Sequence, residues 1–294
     1  MKHFSYRFSF GHSPLLLAAM LLVCASCSKS DDYVYVDDTV DYSGKVTTRV
    51  TDSNGNESTL SAGSELGVYA TNSSGDVTLH TVKVAKDGSI VLPVSAKTES
   101  LVAYLPYQEE WDESAMQETV QFTVKENQST LSGYNASDLM IGVNTPDDAE
   151  SGLLFTHVLA QVVINIVDAT GTNDFYNCSV SLYNVKNTVN VDLSKQSVST
   201  VEEMKGNIIM LPTVVSDFRL TVKAIVAPQQ IESGERFIIF TNNGYSSRYS
   251  IPQVADLQGG KTYTINMRLT STGLEFAGSS IYDWEEGSEV EISN

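Results

Sequence analysis

Cysteine, histidine and tryptophan are scarce, and each shortage closes a route. The 294 residues hold 3 Cys, 4 His and 2 Trp. Cys24 and Cys27 lie close to the amino terminus, so Cys178 is the only thiol in the remainder. One thiol cannot build an intramolecular disulfide framework, and stability must come from burial. His80 and His157 sit apart, each inside an apolar strand pattern, where a structural role is the ordinary reading. The chain has no HExxH, no paired CxxC and no Asp-rich loop with calcium-loop spacing, so neither a metal nor another cofactor is expected. Gly260-Lys261-Thr262 ends like a phosphate loop, yet position 255 is Ala where that motif needs Gly. No Ser stands in GxSxG, and Cys178 alternates into a strand as a small apolar residue would. These absences leave poor material for an enzyme, and none is expected.

Basic residues and long apolar runs are also in short supply. There are 18 Lys and Arg against 36 Asp and Glu. Loss of Lys2 and Arg7 with a leader segment leaves 16 basic residues and a net charge of −20. Such a charge repels nucleic acid and anionic lipid surfaces. The one extended apolar run, Leu15 to Val23, follows Lys2 and Arg7, has signal-peptide dimensions and is too short to span a bilayer. Ala25 and Ser26 before Cys27 resemble a bacterial lipobox, in which the thiol is diacylated and cleavage leaves the modified Cys first. Cutting before Cys24 instead would put Val23 and Leu22 in slots that want small side chains. Residues 1–26 are therefore expected to be a lipoprotein signal peptide, with Cys27 carrying lipid. Several acyl chains at about 0.8 kcal/mol per buried CH₂ make a durable anchor. Ser28 to Asp38 is a polar, acidic tether, and its Lys29-Ser30-Asp31-Asp32 resembles the acidic signal that sends certain outer-membrane lipoproteins to the cell surface.

What the chain does have is period-two patterning. Beyond the tether, apolar segments alternate or form short β-branched runs, and no stretch of a dozen residues shows the helical period. An all-β chain follows. Expected strands include Lys45 to Val50, Leu66 to Ala70, Val77 to Val84, Leu101 to Leu105, Thr119 to Val124, one long strand from Leu154 to Val167, Cys178 to Val185, Phe218 to Val226 and Lys261 to Leu269. Asn54-Gly55, Asp87-Gly88, Asn243-Gly244 and Gly259-Gly260 supply turn residues. Thr200 to Lys205 reads as one short helical turn. Many short strands argue for β-sandwiches, and the length suits two. The acidic stretch Thr145 to Gly152 is the expected linker, giving 27–49 as tether and first strand, 50–152 as an N-terminal sandwich and 153–294 as a C-terminal one. Glu109-Glu110-Trp111-Asp112-Glu113 is the one place where acids surround an aromatic of the kind that stacks on sugars, and a solvated loop with Trp111 tucked into the core edge is the favoured alternative.

Several segments resemble the fimbrillin family, the lipoprotein-derived subunits of type V pili. They run in order: Thr48-Arg49; Leu66-Gly67-Val68-Tyr69-Ala70; Val102-Ala103-Tyr104-Leu105-Pro106-Tyr107; Asn127-Gln128-Ser129; Ala136-Ser137-Asp138-Leu139-Met140; Phe155-Thr156-His157-Val158-Leu159-Ala160; and Gly259-Gly260-Lys261-Thr262-Tyr263. The resemblance implies two tandem transthyretin-like Greek-key β-sandwich domains, export as an outer-membrane lipoprotein exposed at the cell surface, and a pilus role supporting cell adhesion. It also implies maturation by a trypsin-like, Arg-specific protease between Arg49 and Val50, with removal of the segment from Asp41 to Arg49. The vacated groove would then take an extended strand from another pilus subunit, a case of β-strand addition. Val46 would be among the inward side chains of the removed strand. Ile281, Val290 and Ile292 are the donor-strand candidates, because Ser288 to Ile292 alternates polar with apolar. An edge strand folded back on its own domain is the competing reading of that tail. The rival function is a glycan-binding or tip adhesin lipoprotein that does not polymerise and grips a host or glycan ligand.

Overall fold

A computed structural model describes residues 45–51, 57–92, 98–144, 152–171 and 175–284. Cys27, the leader and tether, the turn at Asn54-Gly55, positions 145–151, Val290 and Ile292 lie outside the described residues. In chain order the strands are β1 (Lys45–Thr51), β2 (Glu57–Ser58), β3 (Glu65–Asn72), β4 (Val77–Lys83), β5 (Ser89–Val91), β6 (Thr98–Leu105), β7 (Val120–Thr123), β8 (Met140–Asn144), β9 (Leu153–His157), β10 (Ala160–Asp168) and β11 (Cys178–Lys186). They continue as β12 (Thr188–Asp192), β13 (Ser197–Thr200), β14 (Lys205–Ile209), β15 (Leu211–Val215), β16 (Arg219–Val226), β17 (Gln229–Ile231), β18 (Arg236–Asn242), β19 (Tyr245–Ser250), β20 (Ala255–Leu257), β21 (Lys261–Thr270) and β22 (Gly273–Asp283). A single helical turn, α1 (Leu131–Asn135), and a 3-10 turn at Glu113–Met116 interrupt them. The protein is all-β, as its periodicity requires.

The first sheet runs β2-β1-β9-β8-β6-β3-β4, with β5 also on β1. The others run β15-β16-β10-β21-β22, β14-β11-β18-β19, β13-β12-β7 and β17-β20. Most neighbours are antiparallel; β1 with β9 and β10 with β21 are the parallel pairs among the described strands. β10, almost wholly buried, lies between β16 and β21, which is why its sequence is a β-branched run rather than an alternation. The hairpin from β18 to β19 turns on Asn243 and Gly244, whose φ values of 46° and 83° are those a tight primed turn demands.

Two expectations are corrected here. Leu154 to Val167 is not one strand but two, because Val158 and Leu159 carry the chain from one sheet to another. The Val158 N–H donates to Leu139 O at 3.2 Å, while Leu159 O accepts from Gly260 N at 2.8 Å. Gly152 is consequently not where the chain changes sheets, since β9 still pairs with β8 and β1 of the first sheet. Thr200 to Lys205 holds a turn between β13 and β14, not a helix. β7, from the earlier half, pairs with β12 of the later half, and the described residues cluster as one compact unit.

At its centre, where β3, β6 and β8 lie, the first sheet is packed on both faces. One face carries Leu66, Val68, Leu101, Ala103, Met140, Leu153 and Phe155 into a cluster of their own. The other carries Tyr69, Tyr104, Leu139 and Ile141 into a larger core shared with β10, β11, β16, β18 and β21. Trp111 closes that second face, its ring 4.6 Å from Tyr104 and its indole N–H donating to Gln121 O at 3.3 Å. Tyr69 stacks on Tyr104 at 5.8 Å, and the two hydroxyls donate to Asp112 O and Gln108 O. Burial pushes the Tyr104 hydroxyl up from 10.0 to about 12 and raises that of Tyr69 as well.

Gly67 pairs with Tyr104 across the sheet, and a methyl group at Gly67 would overlap the Tyr104 ring. That ring is held between Tyr69 and Trp111 and cannot move aside. Gly67→Ala is therefore expected to destabilise the fold by about 1–3 kcal/mol, read as a lower denaturant midpoint. The tyrosines set an alkaline limit. Unfolded tyrosine ionises near 10.0 whereas Tyr104 holds its proton to about 12, so this stabilisation is present below pH 10 and lost as pH rises through about 12. Tyrosinate absorbance and loss of β circular dichroism should rise together across that window.

Candidate functional site

β1 is the element on which the expected processing falls. Its residues alternate, with Val46, Thr48 and Val50 at 7%, 0% and 3% exposure. Val46 and Val50 enter the smaller core beside Leu60, Ile90, Leu153 and Phe155. On one side β1 lies parallel to β9, pairing Thr48–Val50 with Leu153–Phe155. On its other side two short strands share the work. β5 covers Lys45–Thr47 and β2 covers Val50–Thr51.

Between β5 and β2 the ladder has a gap, and Thr48 sits in it. Its Oγ1 donates to Gly88 O at 2.6 Å and accepts from Leu60 N at 3.2 Å, while its own N–H also reaches Gly88 O at 3.1 Å. The hydroxyl thus replaces a missing strand residue. Gly88 can offer its carbonyl there because it has φ of 76° and because any Cβ would strike Thr59. Gly152 makes a similar allowance at β9, where a Cβ would strike Thr47 O.

Arg49 and Val50 thus lie within a paired strand, with Arg49 opposite Leu154 and Val50 opposite Phe155. Ile281 lies on β22, an edge strand, opposite Tyr263 and 62% exposed. It borders a groove of about 380 Å³ lined by Phe276, Phe237, Tyr249, Ile251 and Val254. β1 and Ile281 belong to different sheets, and the structure does not bring them together.

The remaining candidates have structural settings. Trp111 is the core-edge residue already described, and Asp112 caps the 3-10 turn by accepting from Ser114 N at 2.9 Å. Trp284 is buried against His157, ring centroids 4.0 Å apart and nearly parallel. Neither tryptophan is a surface platform. Cys178 is half-buried and its thiol donates to Phe175 O at 2.9 Å. Among the described residues no three His, Cys, Asp or Glu converge on a metal-sized space, and no helix is long and apolar enough to cross a membrane.

Sequence reasoning did not foresee that the short motifs meet one another. Gln128 is fully buried; its amide nitrogen donates to Ile225 O and its amide oxygen accepts from Ile225 N, both at 2.8 Å. His157 pairs with Asp138 at 2.8 Å across the pivot between sheets. The Trp284 N–H donates to Gly260 O. Gln161 donates to Tyr134 Oη at 2.6 Å and accepts from Thr262 at 3.0 Å. The one available signal was the presence of amide and acid residues at fixed places between apolar strands.

With this geometry in view, the comparisons are consistent. Residues 48–284 match the fimbrillin-like family, and the chain belongs to it. That membership makes it a pilus or adhesion subunit by class, with a structural role at the cell surface. Similar folds occur in a candidate cell adhesion protein from Bacteroides uniformis (20% identity, TM-score 0.61, covering 82% of this chain and 98% of that one) and in another from Bacteroides ovatus (16%, 0.62, 84% and 98%). The tip fimbrial protein Mfa3 from Porphyromonas gingivalis, with a C-terminal truncation, is similar too (13%, 0.51, 82% and 98%). None of the curated proteins compared with the chain matches it.

Gln128 offers a direct check of the junction. Gln128→Ala leaves the buried N–H and C=O of Ile225 unpaired, and a loss of about 2–4 kcal/mol is expected in chemical denaturation.

Proposed function

We propose that the chain is a pilus subunit exported as a lipoprotein through Cys27, displayed at the outer-membrane surface and assembled by donor-strand exchange. In this reading an Arg-specific, trypsin-like protease cuts between Arg49 and Val50, and another subunit supplies the strand that replaces β1. The observation that carries it is how lightly β1 is held. Its ladders are two or three residues long on every side, whereas β10 pairs over eight residues with each neighbour. Parallel pairing, as with β9, is slightly weaker per residue than antiparallel. Removing β1 would leave an apolar groove with unpaired main-chain groups along it, the surface that strand addition needs. Ile281, Val290 and Ile292 remain the donor candidates. Partners are other pilus subunits and membrane lipid through Cys27; the acidic balance disfavours nucleic acid.

A second reading is supported by a different observation. The Arg49-Val50 bond lies inside a paired strand with Val50 buried, which suits a subunit kept uncut at the base or tip, where a host or glycan ligand would be met. N-terminal sequencing of surface-sheared filaments separates the two. A start at Val50, with Arg49→Ala held monomeric on the membrane, is expected for the polymerising subunit. A lipidated, uncut surface protein, or filaments formed by Arg49→Ala, would overturn it.

A further inference from the structure

The groove beneath β1 has a polar centre, and that centre restricts what can enter. If Lys45–Arg49 left, Leu60 N–H and Gly88 C=O would both point into the space that the Thr48 hydroxyl now fills. Leu60 is 3% exposed, so water is a poor substitute there. A strand with an aliphatic residue there would still offer its main-chain N–H to Gly88 C=O, as Thr48 does, but would leave the Leu60 N–H buried and unpaired, a penalty that falls on the incoming strand. Two residues earlier, the site of Val46 is apolar and 7% exposed. Val50, remaining with the subunit after a cut at Arg49, needs no replacement.

From this we infer that the groove selects an extended strand, supplied by another subunit, with an apolar residue followed, two positions later, by Ser or Thr. The inference rests on the exchange reading above. The donor candidates between Ile281 and Asn294 do not meet the requirement. Read in the direction of β1, no pair two apart from Ile281 to Asn294 places an apolar residue before a Ser or Thr: Ser288 follows Glu286, Ser293 follows Glu291, and Val290 precedes Ile292. The polarity matters, because it is the parallel register with β9 that sets Thr48 opposite Leu153 and at the gap. A strand drawn from residues 281–294 would put either a side chain other than Ser or Thr at the place of Thr48, or Glu286 or Glu291 at the apolar place of Val46, so the entering strand is another segment of the neighbouring subunit.

The test uses the full chain cut by an Arg-specific protease and synthetic strands added to it. The probes are the Asp41–Arg49 peptide, the same peptide with Thr48→Ser or Thr48→Val, and the Glu285–Asn294 tail peptide. The native and Ser peptides should bind alike, and the Val and tail peptides roughly tenfold or more weakly. Equal binding of the Val peptide would overturn the hydroxyl requirement, and equal binding of the tail peptide would overturn the exclusion of residues 285–294 as the entering strand. Failure of the protease to cut at Arg49 would instead sink the exchange reading itself. The socket is then read in the uncut protein, where Thr48→Val, but not Thr48→Ser, should speed hydrogen exchange at the Leu60 amide by roughly tenfold. Unchanged exchange would overturn the socket.

Discussion

Buried main-chain groups that outrun their neighbouring strand must still be paired, and in this protein side chains do it. Thr48 fills the gap between β5 and β2. Gln128 presents its amide to both main-chain groups of Ile225, much as a further strand residue beside β16 would. Gln229 does the same for Lys186, accepting from its N–H at 2.8 Å and donating to its C=O at 3.0 Å. Each is buried, so an apolar replacement would orphan the Leu60 N–H at Thr48 and two main-chain groups each at Gln128 and Gln229. Many short strands can therefore pack together without a run of uninterrupted ladders, and the sheets can change partners where the chain needs to turn.

The same requirement explains why the centre of the first sheet is covered on both sides. A sheet of short strands has few hydrogen bonds per strand and depends on packing for the rest. Alternation sends aliphatic residues to one core and Tyr69, Tyr104 and Ile141 to the other, so one sheet takes part in both. Rings then lie across bare backbone: Tyr104 over Gly67, and Phe155 over Gly142. The glycines are fixed by what lies on them rather than by their own conformation.

Strand existence was readable from the sequence wherever apolar residues alternate or run together. β3, β6, β10, β16 and β21 follow that rule. β19 (Tyr-Ser-Ser-Arg-Tyr-Ser) does not, because it is a largely exposed strand whose place is set by its hairpin with β18. β2, β13, β17 and β20 are two to four residues long, too short to show a period, and β17 and β20 pair with each other across the β18–β19 hairpin. The break between β9 and β10 was hidden because Val158 and Leu159 continue the apolar run while the backbone changes partners. Of the site, the alternation of Val46, Thr48 and Val50 was visible. The gap that Thr48 fills was not, since it depends on where β5 ends and β2 begins.

In the proposed exchange, the balance at β1 would let one strand be both integral and separable. Ordering the five backbone residues Lys45–Arg49 costs about 5–10 kcal/mol. Burial of Val46 returns about 2 kcal/mol and each net hydrogen bond about 1 kcal/mol. With ladders of three residues at most, gain and cost are of the same order. While the strand is joined to Val50 its effective concentration beside the groove is high, and this keeps it seated. A break at Arg49 removes that advantage without removing a single contact. A competing strand then needs only comparable side chains and a longer ladder, which is why the chemistry of the groove, rather than the strength of β1, would decide what takes its place.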